Sequence, residues 1–384
     1  MTISQYEDYF YIYILLLISV PAIILGIKQI KIKYYAFFAT IFMVILTIGM
    51  ENQMLTIGVF LLWEMALIKL YQKVNDKNKK WRFRLFVLLS LLPLVFNKIS
   101  GFTAFGIIGF VGISYMSFKT VQIIIDIYDG NIDEIKLTDT LYFVLFFPTL
   151  SSGPIDRYRK FIDEINAEIP RDVYINDYLL IGIKKMVVGL AYKFFFASLI
   201  YIAWLKEIPN DGSIFSLVQY MYCYTLYLFF DFAGYSNMAI GTGYLFGVKV
   251  PKNFDKPFVS KDMKEFWTRW HISLSRWFGD YIFSRFVLNT LKNKKYRKKK
   301  KNVYRVGQMI TMATMGIWHG LTWYYIAYGV YQGIALALTD DYLASKFHKK
   351  HAKNKHYQFL QIFVTFHIIC FGMLIFSGYL NNYI

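Results

Sequence analysis

The sequence predicts an all-α, polytopic integral membrane protein, and three observations carry that expectation. The chain of 384 residues is 56% hydrophobic and 20% aromatic with only 18% charged residues, more apolar than a water-soluble domain of that length. Apolar stretches recur at 9–27, 34–50, 54–70, 85–96, 105–125, 141–150, 179–204, 214–230, 232–248, 303–338 and 359–380. The net charge of +18 gathers between them, at 28–33, 73–84, 249–264, 292–305 and 346–355. A helix needs ~20 apolar residues to cross the hydrocarbon core, so the pattern predicts about ten to twelve crossings. Basic loops favour the cytoplasmic side, which puts the N-terminus, with Glu7 and Asp8, outside. The same charge attracts anionic lipids.

Taken in order, 9–27 follows acidic residues instead of a basic n-region, and no small-residue cleavage site succeeds it, so it is expected to remain as the first span. The loops at 28–33 and 73–84 bracket two further spans. From there to the basic "DRYRK" at 156–160 lie three apolar stretches, and three more precede Lys249, whereas loops on one face demand even numbers. One member of each group should therefore enter and leave on the same side. "FFPTLSSGPIDRY" at 146–158 fits best: its prolines, paired serines and Gly-Pro step cannot continue a helix. Irregular backbone at membrane depth survives only where protein or a water-filled cavity satisfies it, so a re-entrant element lining a cavity is expected. No linker is long enough to separate soluble domains, and residues 1–384 read as a single membrane domain.

"KDMKEFWTRWHISLSRWFGDYIFSRFVLN" at 261–289 has a different pattern. Asp262, Glu265, Arg269, Ser273, Arg276 and Asp280 recur at three- and four-residue spacing, opposite Phe266, Trp267, Trp270, His271, Leu274, Trp277, Phe278 and Tyr281. This predicts one amphipathic helix lying in the membrane interface, with His271 turned away from water. The run at 303–338 is long enough for two spans or one broken span, and it holds His319 within "MGIWHGLTW". An ionisable group in such a run either is hydrogen-bonded for structure or faces a polar cavity for function. Asp231, in "FFDFAGYSNMAIGTGYLFG", is open to the same two readings: a proton-relay acid, or a carboxylate bonded to Ser236, Asn237 or backbone. Gly241, Gly243 and Gly247 miss the dinucleotide fingerprint and predict close helix packing. Cys223 and Cys370 lie in apolar segments as structural thiols, and His348, His351 and His356 read as solvated among lysines. The sequence has no P-loop, no Gly-x-Ser-x-Gly elbow and no histidine pair at metal-ligand spacing. Hydrolytic triads and nucleotide hydrolysis are unsupported. The dense "LKNKKYRKKKKNVYR" at 291–305 invites an acidic partner from the cytoplasm, and no nucleic-acid module accompanies it.

Four landmarks together, "FFPTLSSGPIDRYRKF", "FFDFAGYSNMAIGTGYLFG", "NFDKPFVSKDMKEFWTRWHISLSRWFGDYIF" and "MGIWHGLTWYYIAYGVYQG", resemble the membrane-bound O-acyltransferase (MBOAT) family. The resemblance covers about residues 146–333. Within the family it favours the D-alanyl-transfer branch of Gram-positive teichoic acid modification. The acetylases of polysaccharides follow the first histidine with a "YIPLGG"-like turn, where this chain has "YIFSRFVLNTLKNKKYRKK". The resemblance implies a ring of about 11 tilted transmembrane helices, with re-entrant and interfacial helices, around a central tunnel. It implies His319 as the catalytic histidine and His271 as a second signature histidine, with Trp270, Trp318, Trp323 and Asp231 about the tunnel.

The donor so implied is D-alanine held as a thioester on the phosphopantetheine of an acidic D-alanyl carrier protein, with no resident cofactor or metal. The carrier is expected on Lys298, Lys299 and Lys300 and on Phe286, Val287 and Leu288. The implied setting is the bacterial cell membrane, with other membrane proteins of the D-alanylation pathway and a teichoic acid acceptor as partners. A thioester is already activated, so the chemistry needs a base for the attacking hydroxyl rather than a covalent nucleophile. Burial of His319 among Trp318, Trp323 and Met315 is expected to keep it neutral for that task. Competing readings are a proton-coupled transporter or flippase of an anionic envelope lipid or polymer, which inverted repeats would favour and none is visible, a polysaccharide O-acetylase, and a non-catalytic scaffold.

Overall fold

The structure, a computed structural model, describes residues 4–49, 52–77, 79–103 and 108–383. Met50 and 105–107, at the ends of two of the apolar stretches, lie outside the described residues. Every regular element among the described residues is helical. Five helices are long and apolar enough to cross a membrane: Tyr9–Ile27, Gln53–Val74, Lys80–Ser100, Arg171–Glu207 and Lys355–Phe376; Lys33–Ile48 is a shorter apolar one. Other apolar stretches became shorter buried helices, and 214–230 and 232–248 fused into one helix.

The chain divides into two compact units, residues 1–190 with 235–251, and 191–234 with 252–384. The first holds α1 (Tyr9–Ile27), α2 (Lys33–Ile48), α3 (Asn52–Val74), α4 (Lys80–Ser100), α5 (Ile113–Asp129), α6 (Leu137–Leu145), α7 (Tyr158–Asn166), α8 (Arg171–Val173) and α9 (Leu180–Leu190). Asp8 caps α1 by accepting from Phe10 N at 2.8 Å. Between α6 and α7 the backbone is irregular and largely buried, as the prolines and glycine predict. Packed side chains satisfy it. Lys119 Nζ donates to the carbonyls of Phe143 (3.1 Å) and Val144 (3.3 Å) and to Thr149 Oγ1 (3.2 Å), and Gln122 Nε2 donates to Asp156 O at 3.0 Å. Gln5 Nε2 donates to Phe147 O at 2.5 Å. A buried lysine is tolerable here because three oxygens replace its water. Gly241 packs as expected, since a Cβ there would lie 2.7 Å from Gly182 O.

The second unit continues through α10 (Ser198–Ala203) and most of α11 (Ile214–Leu245), whose C-terminal part belongs to the first unit. It then contains α12 (Met263–Arg269), α13 (Ile272–Phe278), α14 (Ser284–Leu291), α15 (Lys294–Arg297), α16 (Lys300–His319), α17 (Trp323–Ala344), α18 (Lys346–His351) and α19 (Lys355–Phe376). The run at 303–338 makes two elements, turning at Gly320. Gly316 lets them meet backbone to backbone, because a Cβ there would fall 2.4 Å from Tyr325 O and 3.0 Å from Gly329 Cα.

The single amphipathic helix expected over 261–289 is broken between Arg269 and Ile272. His271 sits in the break with left-handed backbone, φ 43° and ψ 51°. The hydrogen bonds that a continuous helix would make are taken instead by the extended segment before it. Asp255 N donates to Arg269 O, and Ile272 N donates to Asn253 O, both at 2.9 Å. The Asn253 side-chain oxygen accepts from Ser273 N at 3.2 Å and Ser273 Oγ at 2.6 Å. Ser273 is therefore buried, not part of a solvated stripe. The opposite face behaves as patterned, with Phe266, Trp267, Trp270, Leu274, Trp277 and Phe278 all buried. His348 and His351 also depart from the expected loop, lying on α18 against Tyr342, Phe347 and Tyr357.

Candidate active site

His319 is the last residue of α16, where the helix stops and leaves its final side chains at the rim of the turn. His271 is placed by the break between α12 and α13. Both rings line one cavity of about 60 Å³. Its walls come from four places: Leu228 and Phe232 of α11, Trp267, Trp270 and Leu274 around the break, Met315 and Tyr328 of α16 and α17, and Met373 and Phe376 of α19. Phe232 meets the His271 ring edge to face at 4.8 Å, and Phe376 does the same to His319 at 4.9 Å. Trp318 and Tyr325 flank His319 at 4.7 and 6.0 Å. Trp267 is held by its Nε1 donating to Gln332 Oε1 at 3.3 Å.

The two imidazoles have different surroundings. His271 is 4% exposed, and its Nδ1 is buried with no hydrogen-bond partner among the described residues. Burial first, and the neighbouring His319 second, push its pKa down to about 3, so it is neutral over the physiological range. A neutral imidazole presents one donor and one acceptor nitrogen, and His271, which lines the cavity, keeps its Nδ1 without a hydrogen-bond partner among the described residues. His319, at the turn that ends α16, is half-buried, with Tyr328 of α17 and Phe376 of α19 against its ring.

The sequence-predicted residues separate into those brought together and those left apart. His271, His319 and Trp270 share the cavity, and Trp318 packs on His319. Trp323 is 44% exposed, its Nε1 donates to Asn381 at 2.7 Å, and it is not among the residues lining the cavity. Asp231 forms an ion pair with Lys193 at 2.6 Å, with Lys193 buried. The partner is thus a lysine 38 residues upstream rather than Ser236, Asn237 or backbone alone, and a half-buried carboxylate gains from a full opposite charge. Lys298, Lys299 and Lys300 are exposed and Leu288 is 65% exposed, as a docking face needs. Phe286 is half-buried. Val287 is buried, lying against Gly307 of α16 where a Cβ would come within 3.2 Å of its Cγ2, and so it cannot be part of that face. Sequence reasoning missed Phe232, Tyr328 and Phe376. The first two sit inside quoted motifs as ordinary aromatics, and Phe376 ends the last long helix with no local signal.

A family model described as "MBOAT, membrane-bound O-acyltransferase family" matches residues 31–383. The chain is 38% identical to a teichoic acid D-alanyltransferase of Bacillus subtilis (strain 168), over 98% of each chain. It is 38% identical to a protein of the same description from Streptococcus thermophilus, over 99% of this chain and 96% of that one. A probable alginate O-acetylase, AlgI, of Azotobacter vinelandii is 35% identical over 62% of this chain and 47% of its own length.

Proposed function

The chain belongs to the membrane-bound O-acyltransferase family and is a multi-pass membrane O-acyltransferase, and on that premise we propose that the group it moves is D-alanyl. The donor in this proposal is the D-alanyl thioester on a carrier protein's phosphopantetheine, and the final acceptor is a hydroxyl of teichoic acid, reached directly or through a relay protein. Similarity to the D-alanyltransferases runs the whole length, whereas similarity to the acetylase covers under two thirds of the chain. The observation that carries the reading is the shared cavity: two histidines from segments 48 positions apart in the chain meet among aromatic rings, and His271 offers an unpaired buried nitrogen there. The cavity is small, about 60 Å³, and in this proposal it takes the reacting atoms and a small acyl group.

In this scheme the acceptor oxygen attacks the thioester carbonyl carbon and an unprotonated ring nitrogen of His319 takes the hydroxyl proton. The tetrahedral intermediate collapses with cleavage of the C–S bond, and the proton passes from His319 to the departing thiolate. The neutral His271, fixed by the chain break, positions one reactant by a hydrogen bond from or to its free nitrogen. The surrounding rings exclude water that would otherwise hydrolyse the thioester. The carrier docks on the basic side, which we take as cytoplasmic with the N-terminus outside, against Lys298 to Lys300 and Leu288. Charge reversal at Lys298, Lys299 and Lys300 should slow carrier association and flatten its salt dependence; unchanged kinetics would remove the docking face.

The test is reconstitution with thioester-loaded carrier and acceptor. His319→Ala should lower transfer by about 10²- to 10⁴-fold while carrier binding persists. Retained transfer would exclude the base role, and loss of carrier binding as well would point to misfolding or a scaffold.

A further inference from the structure

A groove of about 480 Å³ runs along the seam between α17 and α19, away from the histidine cavity. The two helices are joined through α18. From Tyr331 and Ile368 at one end to Tyr342 and Tyr357 at the other it extends about 16 Å at 1.5 Å rise per residue. That is about half of the ~30 Å hydrocarbon thickness, the depth of one leaflet. α19 is among the helices able to cross a membrane, so the groove lies along a span. Its walls are apolar and open: Ile334, Leu338, Leu360 and Val364 are each 46–62% exposed.

The α18 end has the opposite character. Lys261 lines it, Phe347 of α18 closes it, and Tyr342, Tyr357 and His348 form a polar chain there. The tyrosine oxygens are 2.5 Å apart, and Tyr357 Oη is 3.4 Å from His348 Nδ1. α18 itself reads "KFHKKH", followed by "AKNKH". The carboxylates nearby are engaged. Asp262, which lines the groove beside Lys261 and keeps its charge, caps α12 through Lys264 N and Glu265 N, and against it stand Lys261 and the lysines of 346–355; Asp340 pairs with Lys264 and Gln308, and Asp341 with Lys301 and Arg305. The groove mouth is thus left with an excess of positive charge at the depth where a headgroup would sit.

We propose that the α17–α19 groove holds an acyl chain of an anionic phospholipid of the leaflet on the basic side, with its phosphate at Lys261 and the lysines of α18. An apolar slot alone takes any lipid chain; the basic mouth selects the anionic headgroup. The inference is independent of which acyl group the enzyme transfers.

The test is native mass spectrometry of the full-length protein in detergent, titrated with phosphatidylglycerol or phosphatidylcholine of identical chains. Phosphatidylglycerol should bind at least about tenfold tighter, as expected for several lysines at a membrane-surface site. Lys261→Gln/Lys346→Gln/Lys349→Gln/Lys350→Gln should abolish that preference while leaving phosphatidylcholine binding unchanged. Leu338→Trp, which fills the slot from an exposed position, should weaken both lipids. Should the fourfold variant fail to fold, Lys349→Gln/Lys350→Gln, on exposed side chains, makes the same comparison at lower charge. Equal binding of the two lipids, a preference untouched by the lysine changes, or full binding to Leu338→Trp each overturns the proposal.

Discussion

Asn253 is the residue whose removal tests how the site is built. Its side-chain oxygen accepts from Ser273 N and Ser273 Oγ, and its backbone oxygen accepts from Ile272 N, all immediately after the break that carries His271. Asn253→Ala keeps the backbone bond and strips the acceptor from two buried donors. Each unsatisfied donor costs about 1–3 kcal/mol, and the hydroxyl can rotate to another acceptor, so a net loss of about 2–4 kcal/mol is expected. His271 adds a second term. Left-handed backbone at a non-glycine residue costs about 1–3 kcal/mol and persists only while neighbours over-determine it. Once Asn253 lets go, the segment can relax toward the continuous helix that its pattern prefers, and the His271 ring leaves the cavity. Thermal unfolding in detergent should show a midpoint several degrees lower, and transfer kinetics should show a fall in kcat larger than any rise in KM for the donor. Asn253→Asp, which keeps an acceptor oxygen, should recover most of both. In the Asn253→Ala/Ser273→Ala pair the losses should be less than additive, since both remove the same hydroxyl bond. An Asn253→Ala enzyme with wild-type stability and kcat would refute the idea that this contact holds the break open.

Other outcomes follow from the same geometry. His271→Gly should be more stable than His271→Ala by about 1 kcal/mol in thermal unfolding, because only glycine is at ease at φ 43°. The pKa of His271 is lowered on folding, so the unfolded chain binds the extra proton between about 6.5 and about 3. The contribution of this residue to stability should be complete above pH ~6.5 and fall by up to ~1.4 kcal/mol per unit below it, a slope that His271→Asn should lack in pH-resolved melting. Gly316→Leu forces side-chain atoms into Tyr325 O and should cost about 1–3 kcal/mol or more while displacing His319, read as lost transfer together with a lower melting midpoint. Asp231→Ala should destabilise by about 1–3 kcal/mol, less than for a fully buried pair because Asp231 keeps 31% exposure, and Lys193→Met/Asp231→Leu should restore stability.

The sequence by itself determined the solvent, the helical class and the chemistry-bearing segments. Apolar runs with basic interruptions are a one-dimensional signal, because a bilayer rewards each helix separately. The proline and glycine of 146–158 announced irregular backbone, and the aromatic face of 261–289 announced burial; both are local properties of the chain. Tertiary structure decided what those segments do. The helix pattern over 261–289 is intact, yet Asn253, accepting, and Asp255, donating its N–H, break the helix from outside it at His271, which lines the cavity. Lys193 claims Asp231 from 38 residues away, and Gly307 draws Val287 inward from what looked like a docking face. Phe376 reaches His319 only because α19 packs against α17. Contacts between residues far apart in the chain leave no periodicity behind them. The meeting of His271 and His319 therefore became visible only once the helices were packed.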